Sequence, residues 1–340
     1  MLDLVKKLSE AHGVPGSEGD VREIMAQELS KYCQVEVDKL GNLIGRKGDG
    51  ERKFMLAAHM DEIGLMVRQV DKNGFIKFAT LGGFFDQTLL SQRVIVHTSK
   101  GQLYGVIGSK SPHLLKAEER KKAVEYKDMF IDVGARDEKA AKKRGLNVGD
   151  YITFDRTFKE LGDGYITGKA FDARLGCAAM VEIARHAKPK NVSIYAVGTV
   201  QEEVGLKGAR TAAYKINPDI AIALDVTFAG DFPGAKEEVQ TKLGKGPVIT
   251  IADASGRGLI THPDVKELLV STAEKHKIPY QLEVGEGGTT DASAIHLTRE
   301  GIPSGVVSIP TRYLHSPVEV AKIEDIKNAV KLVIRSIEAF

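Results

Sequence analysis

Six residues, all but Asp172 placed at or just beyond the ends of apolar runs, carry the chemistry this sequence can do. His59 follows Phe54-Met55-Leu56-Ala57-Ala58, Glu202 and Glu203 follow residues 194–200, and Asp225 follows residues 220–224. His315 lies one loop beyond residues 305–309, and Asp172 opens a helical pattern after Gly168-Lys169-Ala170-Phe171. In open α/β sheets ligands gather beyond the carboxyl ends of the strands, so these positions converge on one place. Two imidazoles and three carboxylates make a mixed nitrogen and oxygen donor set. It suits zinc or cobalt, and manganese too, rather than an all-oxygen calcium or magnesium cage. Five ligands exceed what one tetrahedral catalytic zinc takes, and they suit two ions sharing a carboxylate, about 3.5–4 Å apart.

Neighbouring side chains diverge, so of Glu202 and Glu203 one can ligate while the other handles a proton beside it. Residues two apart on an extended segment share a side, so in His59-Met60-Asp61 the Asp61 carboxylate can accept the other ring N–H of His59 and fix its tautomer. The amide-rich loop Gly285-Glu286-Gly287-Gly288-Thr289-Thr290-Asp291 is expected near the substrate. There Gly287, Gly288 and Thr289 could hold a carbonyl or oxyanion.

The elements that must position these residues follow a βα rhythm interrupted once. Residues 2–33 read as two helices broken at Gly13-Val14-Pro15-Gly16, with Ser17 as the cap of the second. Strands follow at 34–38, 43–46 and 54–58, the last apolar on both faces. Short alternating strands then dominate residues 65–163, at 65–70, 75–78, 93–97, 102–107, 129–133 and 151–155. Within this stretch, residues 116–127 are a charge-rich run read as a solvated loop. Helices at 173–186, 206–215, 263–276 and 323–340 then alternate with strands at 193–199, 220–224, 247–251 and 305–309. The expected fold is α/β, a mixed, mostly parallel sheet with helices on both faces, formed by residues 1–64 plus 163–340. Residues 65–162 form an inserted small β-rich domain, barrel or PDZ-like.

At 340 residues the chain has room for two domains and a large core. Its net charge of +2, from 48 basic and 46 acidic residues, gives no reason to expect nucleic acid or an anionic membrane as partner. No apolar run approaches the roughly 20 residues of a membrane span, and the first residues lack the pattern of a secretion signal. Cys33 and Cys177 match no metal or redox spacing and are expected as reduced thiols. The expected location is cytoplasmic.

The motifs Ala57-Ala58-His59-Met60-Asp61-Glu62-Ile63-Gly64, Lys169-Ala170-Phe171-Asp172-Ala173-Arg174, Val200-Gln201-Glu202-Glu203-Val204-Gly205, Ala223-Leu224-Asp225-Val226 and Tyr313-Leu314-His315-Ser316-Pro317 occur in the order of one family. Over essentially the whole length the chain resembles the tetrahedral (TET) aminopeptidases, whose members also carry cellulase M or endoglucanase names. The resemblance implies an aminopeptidase using two divalent ions per subunit. Asp172 bridges, Glu203 and His315 complete one site, and His59 and Asp225 complete the other. It makes Glu202 the general base and Asp61 the orienter of His59. It also implies that the insertion mediates dimerisation and that dimers assemble into a hollow dodecamer acting on peptides. Ala173 departs from the pattern, since relatives commonly carry a second acid there. A leucine-like or broad neutral side-chain preference is expected. The alternatives are a related dinuclear carboxypeptidase or amidohydrolase, a glycosidase built on Glu202 and Glu203, and a non-catalytic assembly protein. The glycosidase has no use for the two histidines, and the assembly protein would be expected to have lost a ligand or the base.

Overall fold

The apolar runs around His59 and Asp225 lie side by side at the centre of one sheet in this computed structural model, which describes residues 1–235 and 239–340. In chain order, helices α1 (Leu2–Glu10) and α2 (Gly19–Leu29) precede strands β1 (Gln34–Val37), β2 (Leu43–Lys47) and β3 (Arg52–His59). Glu18, not Ser17, occupies the N-cap of α2. Its carboxylate accepts from the backbone N–H of Gly16 at 2.7 Å and of Gln201 at 3.1 Å, so it ties the break between the helices to the loop carrying Glu202.

After β3 come β4 (Gly64–Val70), β5 (Ile76–Leu81), β6 (Arg93–Thr98), β7 (Gly101–Gly108), β8 (Phe130–Asp132), α3 (Glu138–Lys143) and β9 (Tyr151–Phe154). The six strands close into a barrel in the order β4-β5-β8-β7-β6-β9, antiparallel throughout. Alternate residues Leu65 and Val67, Val94 and Val96, and Ile152 and Phe154 point inward and form a core of their own. Helix α3 was not expected from the sequence, although Asp137 caps it by accepting from Ala140 N at 2.7 Å. The charge-rich run holds only single 3-10 turns, and Lys116, Lys121, Lys122 and Lys127 are exposed.

The chain then returns through β10 (Lys159–Gly162), β11 (Tyr165–Gly168), α4 (Phe171–His186), β12 (Val192–Thr199), α5 (Lys207–Ile216), β13 (Ile220–Phe228), β14 (Val248–Ala252), α6 (Pro263–His276), β15 (Gln281–Val284), α7 (Ala292–Ile295), β16 (Ser304–Arg312), β17 (Glu319–Lys322) and α8 (Ile323–Ala339). The main path of the large sheet runs β1-β2-β12-β3-β13-β16-β17-β11-β10, with β14 and β15 branching from β16. Its centre, β12-β3-β13-β16, is parallel, and its flanks β1, β2, β17, β11 and β10 are antiparallel. Period-two alternation sends Phe54, Leu56 and Ala58 to the face covered by α1, α2, α4, α6 and α8, and Met55 and Ala57 to the face covered by α5 and α7. Each large apolar side chain fully buried this way contributes about 1.5–3 kcal/mol. Helix α4 packs close on β13 because Gly176 has no side chain: a Cβ there would lie 2.1 Å from the Leu224 carbonyl oxygen. That approach brings the start of α4, with Asp172, over the strand ends.

The barrel meets the connection between α1 and α2 through a small polar cluster. The Thr153 hydroxyl of β9 lies 2.9 Å from His12 Nδ1 and 2.9 Å from His97 Nε2, and His97 stacks on Tyr151 at 4.3 Å. Burial, then the charges of His12 and Lys169, push the His97 pKa down to about 4. A histidine whose folded pKa lies below its unfolded value stabilises the fold when neutral, and that stability is lost as pH falls from about 6.5 towards about 4. Denaturation midpoints measured across this window should therefore fall more steeply for the native chain than for His97→Asn.

Candidate active site

Each candidate residue owes its position to a separate element. His59 ends β3 and pairs in register with Thr199, the last residue of β12, so Glu202 and Glu203 emerge beside it. Strand β13 does not stop at Leu224 as the apolar run suggested. Its ladder with β3 ends at Ala223, but its ladder with β16 continues to Phe228 and pairs Asp225 with Ser308. Asp225 therefore sits inside the strand, where one edge has opened into a cleft. Asp172 lies in the first turn of α4, where it and Ala173 leave helical dihedrals and share a cis peptide bond. His315 lies in the turn from β16 to β17 with φ of 57°, the left-handed region.

All five residues expected as ligands converge. His59 Nε2 is 2.9 Å from Asp172 Oδ1 and 3.9 Å from Asp225 Oδ1. On the other side of the same carboxylate, His315 Nε2 is 3.4 Å from Asp172 Oδ2 and 3.8 Å from Glu203 Oε2. Two trios result, His59-Asp172-Asp225 and Asp172-Glu203-His315, each with donor atoms within 4.8 Å of one another. They share Asp172, one oxygen to each side.

The rings are held by carbonyls. His59 Nδ1 lies 3.1 Å from the Asp61 backbone oxygen, and His315 Nδ1 lies 2.9 Å from that of Gly83. A carbonyl only accepts, so each Nδ1 carries the proton and each Nε2 faces the carboxylates. Asp61 thus orients His59 chiefly through its backbone, its carboxylate lying 3.6 Å from the ring. That carboxylate instead accepts from the backbone N–H groups of Glu202 and Glu203, both at 3.0 Å. Glu319, which the sequence reading did not single out, has a similar role: it accepts from Phe171 N at 2.6 Å, Asp172 N at 3.3 Å and His315 N at 3.2 Å. Its position four residues after His315 was the available signal. Beneath this layer Lys169 Nζ and Glu62 form a buried pair at 2.7 Å.

The barrel reaches this site through Gly82 and Gly83. Gly82 has φ of +88°, and a Cβ there would come within 2.7 Å of Ile63 Cγ2 and 3.0 Å of Glu203 Oε2. Gly82→Ala should lower both stability and turnover. Gly134→Ala, equally strained at φ +68° but with nothing within 4 Å of the added methyl, should lower stability alone. Parallel thermal melts and rate measurements distinguish the two.

The electrostatics show what the donor set lacks. Burial, then the charge of Asp172, pushes Glu203 up to about 8; burial and the same charge push Asp225 up to about 7. Burial opposes protonation of His315 and His59, yet hydrogen bonds to Asp172 hold His315 at about 10 and His59 well above its ordinary value. With neutral rings, every inward-facing atom of both trios is an acceptor. Only a proton or a cation between them relieves that, and two imidazoles with three crowded carboxylates are donors that divalent ions fit. Glu202, outside both trios, is pushed well up by burial and by the charges of Asp225, Asp291 and Glu203.

These residues open onto a cleft of roughly 760 Å³, also lined by Gly287, Gly288 and Thr289. Asp231, three residues beyond β13, is engaged by Arg312 at 2.9 and 2.7 Å, and Glu286 is exposed. Asp291 is buried and accepts from the Thr199 hydroxyl at 2.5 Å.

A family model described as M42 glutamyl aminopeptidase matches residues 41–332, and a second, AMPT, matches residues 1–25. Among solved structures, aminopeptidase APDkam598 from the archaeon Desulfurococcus kamchatkensis superposes with a TM-score of 0.95 at 46% identity, covering 99% of this chain and 94% of that one. The Pyrococcus horikoshii TET1 peptidase, described as assembling into a tetrahedron or a large octahedral shell, gives 0.87 at 35% identity over 98% of both chains. The lysyl aminopeptidase of Pyrococcus furiosus is 37% identical over 97% of this chain and 94% of its own. Matched from before β2 into α8, and carrying both trios within that span, the chain belongs to the M42 glutamyl aminopeptidase family and is a metal-dependent aminopeptidase.

Proposed function

We propose that this cleft removes residues one at a time from the N-termini of peptides, using two divalent ions and Glu202 as the proton carrier. His59 and Asp225 would hold one ion and Glu203 and His315 the other, with Asp172 shared. The observation that carries this reading is the pair of Asp172 oxygens, each turned to a different imidazole. Zinc or cobalt suits these donors best, with manganese next. Such ions, when bound, polarise the scissile carbonyl and make a water acidic enough to lose its proton near neutrality.

Glu202 takes the proton from the attacking water and returns it to the leaving amine. Asp61 holds the backbone of Glu202 and Glu203 together, so base and ligand keep a fixed relation. A free substrate α-amine is a ligand that one such ion would accept, which is the basis for action at N-termini. Gly287, Gly288 and Thr289 are placed to steady the substrate backbone. The barrel within residues 65–162 serves as the dimerisation module, and the dimers build a dodecamer, as the TET1 relative supports. Cys33 and Cys177, both free thiols, suit a cytoplasmic setting.

The test is mass spectrometry of peptides incubated with the metal-loaded protein. Stepwise shortening from free N-termini is expected. C-terminal amidation should not affect it, and N-acetylation or a chelator should abolish it. Shortening from the C-terminus, or cleavage of N-acetylated peptides, would replace this reading with a carboxypeptidase or amidohydrolase.

A further inference from the structure

We infer that Glu283 makes this cleft selective for a basic N-terminal side chain, the ammonium of lysine or the guanidinium of arginine. The inference rests on the aminopeptidase reading above and departs from the leucine-like preference expected from the sequence.

The acids lining or flanking the cleft differ in how far their charge is already met. Asp231 is neutralised by Arg312, Asp253 is buried with its oxygens turned to the Leu259 amide and the Ser293 hydroxyl, and Glu286 is exposed, where solvent screens its charge. Glu283 meets only hydroxyls: Thr227 Oγ1 donates to its two oxygens at 2.9 and 2.8 Å, and Thr250 Oγ1 lies 3.4 Å away. Among the described residues no lysine or arginine pairs with it. Hydroxyls orient a carboxylate without cancelling its charge, and burial raises its pKa against their effect. A half-buried, uncompensated carboxylate in a substrate cleft gains most from a cation that arrives with the substrate.

Thr227 follows Asp225 by two residues on β13, so both side chains face the cleft, about 6.6 Å apart along the strand. A substrate whose α-amine lies at the Asp225 trio meets the carboxylate that Thr227 holds only with a side chain long enough to reach along the strand. The apolar stem and charged head of lysine or arginine suit that reach. Leucine would leave the carboxylate unpaired, and glutamate would be repelled by it.

The test compares kcat/KM for lysyl, arginyl, leucyl and glutamyl chromogenic substrates in the metal-loaded native enzyme, Glu283→Gln and Thr227→Val, with metal content and melting temperature recorded for each. The native enzyme should favour lysyl over leucyl by at least about tenfold. Glu283→Gln should lower lysyl kcat/KM on the order of 100-fold, mainly through KM, with the leucyl value within about threefold. Thr227→Val should lower the lysyl value to a smaller extent, again sparing leucyl. Inhibition by free L-lysine should weaken in parallel. A native preference for leucyl or glutamyl, or a loss in Glu283→Gln shared equally by all substrates, overturns the assignment of Glu283 alone. Failure of the folded, metal-loaded native enzyme to cleave any aminoacyl substrate overturns the aminopeptidase reading beneath it.

Discussion

Glu202→Gln should keep its metal and lose turnover by roughly 10²- to 10⁴-fold, the range that a positioned general acid-base contributes. Glutamine matches glutamate in shape, and Glu202 belongs to neither trio, so the ligands are untouched. The hold of Asp61 on the loop uses the backbone N–H groups of residues 202 and 203, which the substitution leaves in place. What disappears is a carboxylate beside both trios that is not one of their donors. The loss should fall on kcat, with KM little changed, because a proton carrier acts in the transition state more than in binding. Steady-state kinetics with metal analysis on the same preparation checks this. A variant with full metal and near-native kcat would remove Glu202 from the mechanism.

Asp172→Asn should be more damaging to the metal centre than any other single ligand change. Its two oxygens serve both trios, and it is the hydrogen-bonding partner of both imidazoles, which hold its pKa well below the usual carboxylate range. Loss of a partner that merely supports a ligand costs about 10–100-fold in metal affinity, so loss of a shared ligand should cost more at both sites. Asp225→Asn touches one trio and should weaken one ion. Competition titrations against a chromophoric chelator measure the two variants together. Two ions retained in Asp172→Asn at native affinity would contradict the shared role.

Much of this centre was legible in the sequence because parallel strands buried on both faces show as continuous apolar runs. The residue ending such a run is delivered to the same edge of the sheet as its counterparts. That logic located His59 and the 202–203 pair, and it located Asp225 while misjudging its strand. The apolar run stops at Leu224, but hydrogen bonding to β16 carries the strand four residues further, and a ladder depends on its neighbour more than on local hydropathy. Asp61 was legible as a partner of the site but not in its full part. Spacing of two puts its side chain on the side of His59, yet two backbone amides 141 and 142 residues away claim the carboxylate.

Glu283 and Gly82 were not legible, and Glu319 only by its spacing from His315, for a common physical reason. Each acts through contacts distant in sequence: Glu319 reaches Phe171 across 148 residues, Glu283 reaches Thr227 across 56, and Gly82 passes beside Glu203. An acid or glycine with no local pattern looks like surface or turn until the chain closes around it. Ser17 shows the converse. Its type favours capping, but Glu18 at the cap position is held there by Gly16 and Gln201, and the tertiary contact prevails over the local preference.

The central claim, two ions joined at Asp172 that act as one catalytic unit, is tested most directly by stripping the protein of metal and titrating zinc or cobalt back while peptide hydrolysis is followed. Negligible rate is expected without metal, and full rate only as the second equivalent per subunit binds. Full rate in metal-free protein, or a plateau at one equivalent, would contradict it.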